Sequence, residues 1–398
     1  MYKIKQTDDD FIVNEIINKS KLKNKPDKNH KYVILKLTKS NFTTMDALYK
    51  IAKVFLISVK QFGIAGLKDK NGITSQYISL NRYTESMCNI EIDKDIKLEF
   101  IGWSENPIKI GDLDNNEFEI RVSCIKQLDL TISKLNLLKK IEIKLGFIPC
   151  INYFDSQRFS KNNFKQGILL LNKNFKEFNY NLIKQQSNID FEMETIDCEL
   201  NIDDFHNYEK AVVKELQKSN TDHIRALNTI NPKILKIFLH SVQSYLYNLI
   251  SGKLIDILFK TKICTIENIN QNIYFFNDFE IEKINKLINL KIPLIGYDPN
   301  LLNSFYDDIK KLENEFDVNI LDEIKIEIDN FFNEFKINQR SFILNELPQI
   351  SLEGDYRNLF LKSNNFNYEL VDKETLKFKF VLTKGSYATM FIKFIMCN

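Results

Sequence analysis

The sequence predicts an α+β fold whose sheet core is discontinuous in the chain and carries a large, mainly helical insertion. Three observations predict it. Period-two alternation recurs through the first 122 residues and again over 376–382, whereas the stretch between is dominated by three- and four-residue apolar spacing. Strands early and late with helices between them are the pattern of one core interrupted by a second domain. At 398 residues the chain exceeds one ordinary domain and can bury a large core. The change of character near Phe147 places the core in 1–147 and 351–398 and the insertion in 148–350, with the cleft between them as the expected site.

Taken in order, residues 10–16 (DFIVNEI) and 32–37 (YVILKL) read as strands of one sheet. Thr44 is placed to cap a helix reaching about Ser58, because Leu48, Ile51, Ala52 and Phe55 share one face. Residues 63–80 (GIAGLKDKNGITSQYISL) read as a hairpin: an apolar approach, a turn over Lys68-Asp69-Lys70-Asn71-Gly72, and a departing strand with Ile78 and Leu80 on one face. By residue type alone, Asp69 simply keeps that turn solvated. A strand over 96–103 follows; then Asp114-Asn115-Asn116 reads as a turn before Phe118, Ile120 and Val122 alternate. Residues 130–146 form a helix closed by Gly146.

Beyond the aromatic junction NYFDSQRFS (152–160), helices are expected over 205–219, 232–254 and much of 304–335, with 268–296 less regular. Pro232 suits a first helical turn. In that helix Phe238, Val242, Tyr245 and Leu249 face a core, so Gln243 and Tyr245 read as packing residues. Strand 376–382 leads to Gly385-Ser386, which opens a last helix whose first N–H groups can face an anion.

Composition narrows the function classes. The 31 Phe, 16 Tyr and 27% charged residues describe a folded chain, and no run approaches the roughly 18 apolar residues of a membrane span. The start, MYKIKQTDDDF, has no apolar signal core, so a cytoplasmic protein with no membrane partner is expected. Six scattered cysteines without a CxxC pair, and four histidines without ligand spacing to them, argue against structural zinc and a disulfide framework. A net charge of +2 decides nothing about nucleic acid, because local patches bind phosphate. Lys19, Lys21, Lys23, Lys25, Lys28 and Lys31, with Lys39 shortly after, form one patch that reads equally as a solvated loop or as a phosphate contact.

Eight segments in order carry a resemblance: KIKQTDDDFIVNEI, HKYVILKLTKSNFTT, IAGLKDKNGITSQYISL, GDLDNNEFEIRV, NYFDSQRFS, FLHSVQSYLYN, SLEGDYRNLF and FVLTKGSYATMF. Together they resemble the signature segments of the TruD family of tRNA pseudouridine synthases over nearly the whole chain. The resemblance implies a pseudouridine-synthase-type mixed or antiparallel sheet as the catalytic domain, with 148–350 as the family's inserted domain. It implies an isomerase that acts on a uridine of tRNA, at position 13 in bacterial members, with no metal and no organic cofactor; a monomer is expected. The compact length leans toward the bacterial members.

The site residues follow from matching positions. Asp69, the Asp of GLKD, is implied as the catalytic carboxylate. Asn116 is implied to aim it through its amide, and Phe118 to stack on the target base. Phe11 and Tyr387 match further aromatic pocket positions, as a base flipped out of folded RNA requires. Lys5 matches a basic position and is assigned, with Lys39 and Arg158, to phosphate. Asn152, Phe154 and Gln157 match the interdomain junction with Arg158. Two departures stand out: Asp155 and Ser160 occupy glycine positions of the junction, where a left-handed backbone is at stake, and Thr383 replaces a proline. The competing functions are a non-catalytic RNA-binding or RNA-folding protein, against which Asp69 beside Asn116 argues, and a nucleoside or glycoside hydrolase, which normally wants a second carboxylate that no segment supplies.

Overall fold

Alternation and turn chemistry build the first part of the chain, and the computed structural model describes residues 2–25, 29, 31–81, 90–185, 207–219, 221–266, 269–276 and 278–397. After β1 (Lys3–Ile4), the strands β2 (Phe11–Ile16) and β3 (Tyr32–Lys39) form where the alternation predicts. Helix α1 (Thr44–Phe55) is capped by Thr43, not Thr44: its hydroxyl accepts from the Asp46 N–H at 3.2 Å. Leu56 ends the helix in the left-handed region, φ 53°. Strands β4 (Phe62–Ile64) and β5 (Ile73–Leu80) make the expected hairpin, paired from Phe62–Leu80 to Ile64–Ile78. Pairing stops at Ile64, so 65–72 is a long loop rather than a tight turn.

Strands β6 (Ile90–Asp93), β7 (Ile96–Ser104) and β8 (Asn115–Ser123) follow. Asn115 and Asn116 open β8 instead of forming a turn, because β8 is paired on both edges from its first residue. Helix α2 (Leu128–Leu145) ends at Gly146, φ 78°, whose N–H bonds the Glu142 carbonyl at 2.7 Å. Strand β9 (Ile148–Ile151) comes next.

Two compact units result: Met1–Cys150 with Leu361–Met396, and Ile151–Phe360 with Cys397, where the sequence suggested 148–350 for the second. The second unit contains α3 (Asn163–Leu171), α4 (Phe175–Lys184), α5 (Asn207–Lys218), α6 (His223–Asn228) and α7 (Pro232–Leu258). It continues through β10 (Thr261–Ile266), β11 (Gln271–Phe276), α8 (Ile281–Leu287), β12 (Lys291–Ile295), α9 (Pro299–Phe316), α10 (Leu321–Phe335) and β13 (Gly354–Asn358). Within the stretch read as less regular, the described residues form β11, α8 and β12. Phe205 and His206, at the start of the helix expected there, lie outside the described residues, as do Lys28, His30, Cys88 and Cys198.

Helix α7 is the axis of this unit. Pro232 occupies its first turn, Asn231 caps it, and it is buried on nearly every face because α3, α10, β11 and β12 pack around it. Gln243 donates to the Leu294 and Ile295 carbonyls, the packing role expected of it. A Cβ on Gly167 would fall 2.3 Å from the Phe238 carbonyl oxygen, so α3 lies directly on the α7 backbone.

The chain re-enters the first unit through β14 (Phe360–Asp372) and β15 (Thr375–Thr383) and ends in α11 (Ala388–Met396). Among the described residues the resulting sheet has 11 strands, ordered β6-β7-β3-β5-β2-β8-β15-β14-β9, with β1 joined to β8 and β4 to β5. It is mixed: β2 and β5 pair in parallel from Ile12–Ile73 to Asn14–Ser75, while β3–β5, β2–β8 and β8–β15 are antiparallel. Helix α1 covers one half through Ala47, Leu48 and Ile51 against Val33, Leu35, Leu37, Ile78 and Leu80. In α11, Phe391 packs edge-on to Phe380 and Phe366, centroids 4.7 and 5.9 Å away. Among the described residues no helix is long and apolar enough to cross a membrane.

Candidate active site

Strand alternation carries polar side chains inward near the ends of β2 and β3 and within β5. Phe11, Val13 and Glu15 share one face of β2; Val33, Leu35, Leu37 and Lys39 share one face of β3; Gln76, Ile78 and Leu80 share one face of β5. Glu15, Lys39 and Gln76 are only 3%, 1% and 0% exposed. Buried polar groups must be paired, and these meet the loop between β4 and β5.

That loop carries Asp69 and is held along its backbone. Gln76 Nε2 donates to the Gly66 carbonyl at 3.2 Å, and its Oε1 accepts from the Thr44 hydroxyl at 2.7 Å. Thr44 Oγ1 in turn accepts the Lys68 N–H at 2.8 Å. Lys39 Nζ donates to the carbonyls of Asp69 and Phe42, both at 2.7 Å. Gly111 donates its N–H to the Ala65 carbonyl, and Gly72 donates to Asp8 Oδ1 at 3.2 Å. Gly72 has φ +109° and leaves no room for a Cβ, which would lie 2.5 Å from the Phe11 carbonyl oxygen.

The Asp69 side chain is left 46% exposed. Lys5 Nζ stands 3.9 Å from Asp69 Oδ2 and also 3.9 Å from the centre of the Phe11 ring, so the basic position matched in the first segment sits against the carboxylate. Phe11 and Phe118 meet edge to face at 6.3 Å, and Phe118 is stacked on Phe380 at 5.6 Å. Both rings are largely buried, 5% and 7% exposed. Asn116 on β8 is paired directly with Glu15 on β2. Lys68 bridges the two, its ammonium 3.2 Å from Glu15 Oε2 and hydrogen-bonded to the Asn116 side-chain oxygen. Asn116 thus accepts through Oδ1, which turns its amide nitrogen away from Lys68. Burial holds the Glu15 carboxyl above the ordinary range, with Lys68 pulling the other way.

The structure therefore brings Asp69, Lys5, Phe11, Asn116 and Phe118 onto neighbouring strands and one loop of the first unit. Tyr387 is half-buried, after the turn that follows Thr383, and its carbonyl accepts the Met390 and Phe391 N–H groups in the first turn of α11; Thr383 pairs with Asn115 at the start of β8. Lys39 does not reach solvent, which corrects the surface role assigned to it: its ammonium points into the loop. Arg158 lies in the second unit, half-buried, with its guanidinium over the Phe154 ring at 5.1 Å. Asp155 has φ −97°, an extended conformation open to any residue, and its carboxylate caps the following turn by accepting the Ser156 N–H. The left-handed residue of that junction is Asn162, φ 57°, so neither Asp155 nor Ser160 carries the strain expected at a lost glycine.

Sequence reasoning missed Glu15, Thr44, Lys68 and Gln76 as site residues. The signal was present for the strand members, because each is a polar residue continuing an apolar period-two face. Thr44 gave no such signal, since a Thr-Thr pair before a helix names two candidate caps and only one caps.

Comparison with known proteins identifies the family. The sequence profile described as tRNA pseudouridine synthase D (TruD) matches residues 2–395. A protein of Thermococcus sibiricus named probable tRNA pseudouridine synthase D is 30% identical, over 99% of this chain and 94% of its own length. A protein of Methanocaldococcus jannaschii named probable tRNA pseudouridine synthase D 2 is also 30% identical, over 98% and 90%. Among solved structures, the putative tRNA pseudouridine synthase D of Methanosarcina mazei superposes with a TM-score of 0.65 at 21% identity, over 99% of this chain and 93% of that one, a likeness of fold. With its profile match running almost end to end, this chain belongs to the TruD family of tRNA pseudouridine synthases.

Proposed function

We propose that this chain isomerises a uridine of tRNA to pseudouridine, at position 13, with Asp69 as the catalytic carboxylate and the target base flipped beside Phe11, Phe118 and Tyr387. The observation that carries this reading is the Asp69 loop: a half-exposed carboxylate on a backbone tied down by buried Lys39, Thr44 and Gln76. A solvated turn has no need of such anchoring, and a reacting group does.

The chemistry follows from one carboxylate. The N1–C1′ bond breaks with its electron pair passing to uracil N1, and Asp69 either bonds to C1′ or offsets the charge of an oxocarbenium-like sugar. The freed uracil turns in the pocket, C5 bonds to C1′ as the carboxylate departs, the C5 hydrogen leaves as a proton, and N1 gains one. Atoms and charge balance without a redox partner. Lys5, close to both Asp69 and Phe11, keeps the carboxylate charge offset until the base arrives. Lys68 holds the Asn116 oxygen, presenting the amide nitrogen as a donor to the reacting groups. Uridine extruded from its stack loses ring contacts, and aromatic side chains replace them at about 1–3 kcal/mol per base.

The test is tritium release from tRNA labelled at uridine C5 and taken from cells lacking the enzyme. Wild type is expected to release tritium and Asp69→Asn to remain at background while binding tRNA equally well. Equal release by both would remove Asp69 from the chemistry, and tRNA binding without release by wild type would favour the RNA-binding alternative.

A further inference from the structure

We infer that Lys39, acting with Thr44 and Gln76, is the positioning residue that sets where the Asp69 carboxylate stands, by fixing the Asp69 main chain from inside the core. The inference rests on the reading of Asp69 as the catalytic carboxylate.

Position 39 continues the face of β3 that presents Val33, Leu35 and Leu37 to the core. An apolar side chain there would pack at lower cost than a lysine, whose ammonium must be desolvated. Two of the three ammonium hydrogens go to the Asp69 and Phe42 carbonyls at 2.7 Å, so the lysine links the end of β3, the approach to α1 and the reacting loop at one atom. Loop 65–72 has no strand ladder of its own, since β4–β5 pairing ends at Ile64–Ile78 and β5 begins at Ile73. Between the Gly111–Ala65 backbone bond and the Gly72–Asp8 contact at its two ends, the loop is held by buried side chains: Gln76 at Gly66, Thr44 at Lys68 and Lys39 at Asp69. These three are 0%, 1% and 1% exposed, shielded from competing water.

The same burial makes the clamp sensitive to pH. Desolvation lowers the Lys39 pKa to about 8; Asp69 opposes this, Lys68 reinforces it, and Asp46 on α1 opposes it more weakly. Below about pH 8 the group is an ammonium with charge-assisted bonds to both carbonyls. Above that pH it becomes an amine, and its bonds to the two carbonyls weaken. Turnover is therefore expected to fall on the alkaline side with a midpoint near pH 8.

The experiment is single-turnover tritium release, with the full-length protein in excess over C5-labelled tRNA, measured against pH for wild type, Lys39→Met, Thr44→Val and Asp69→Asn, alongside tRNA affinity and cooperative thermal unfolding. Lys39→Met and Thr44→Val are expected to lower the turnover rate by about 10²-fold with affinity unchanged, the scale of a reacting group displaced by about 1 Å. The alkaline fall near pH 8 is expected in wild type and absent from Lys39→Met. Lys39→Met turning over like wild type, keeping the alkaline fall, or losing affinity in step with rate would each overturn the inference. Should Lys39→Met not fold, the isosteric Thr44→Val decides: a wild-type rate overturns the clamp, and a slow rate at full affinity supports it. A silent Asp69→Asn beside an active Lys39→Met rejects only this inference, whereas an active Asp69→Asn rejects the catalytic reading itself.

Discussion

Glu15 and Lys39 are ionisable side chains standing where strand alternation calls for apolar ones, and their pKa shifts carry opposite signs for stability. Burial raises the Glu15 carboxyl, so between its ordinary value of 4.5 and the raised one the folded chain holds a proton that the unfolded chain has released. Stability from that group falls as pH rises through this window. Lys39 is lowered from 10.5 to about 8, so between those values the unfolded chain holds the extra proton and stability rises with pH. Urea unfolding of Lys39→Met and wild type at several pH values is expected to show that alkaline rise in wild type only. Glu15→Ala is expected to cost about 3–5 kcal/mol, because it leaves the Lys68 ammonium without its buried partner; a urea midpoint unchanged from wild type would show that the pair contributes nothing.

The loop between β4 and β5 is an element whose conformation is set by its neighbours. Gly72 at φ +109° brings the main chain against Phe11, and Gly146 at φ +78° ends α2 in open space. Alanine at Gly146 is expected to cost about 1–2 kcal/mol, the left-handed penalty alone. Alanine at Gly72 meets the same penalty and drives its Cβ toward the Phe11 carbonyl, so the loop has to move off β2. A larger loss of melting temperature and slower turnover are expected for Gly72→Ala than for Gly146→Ala; equal effects would mean that the loop yields freely. Helix α1 shows the same dependence. Thr43 caps it by local chemistry, which frees Thr44 to turn inward and hold Lys68.

Across the whole molecule, the first unit is assembled from both ends of the chain. Strand β15 pairs with β8 from Leu376–Val122 to Thr383–Asn115, and it buries Phe378, Phe380 and Leu382 completely. A chain ending after Phe360 lacks β15 and α11, so β8 keeps an open edge and Phe118 loses the ring of Phe380. Such a truncation is expected to lose cooperative unfolding of the first unit together with tritium release. Retention of either would show that β14, β15 and α11 are dispensable to the sheet.

The sequence by itself determined the discontinuous α+β organisation, the strands β2 to β5, β7 and β8, the long helix α7 and the family, because period-two and 3.6-residue patterns and ordered local segments are readable without contacts. Asp69, Asn116 and Phe118 were legible through those segments, whereas Glu15 was missed and Lys39 was assigned to phosphate, although both continue apolar faces. The tertiary structure alone decided that Lys39 turns from the surface to the Asp69 carbonyl, that Lys5 meets the carboxylate, that β11, α8 and β12 form in a stretch without clear periodicity, and that Asn115 and Asn116 are strand rather than turn. Each is set by a partner far away in the chain. Pairing on both edges overrides the local turn preference of Asp-Asn-Asn, and the carbonyls of a loop that folds back from another strand determine which way a buried ammonium points.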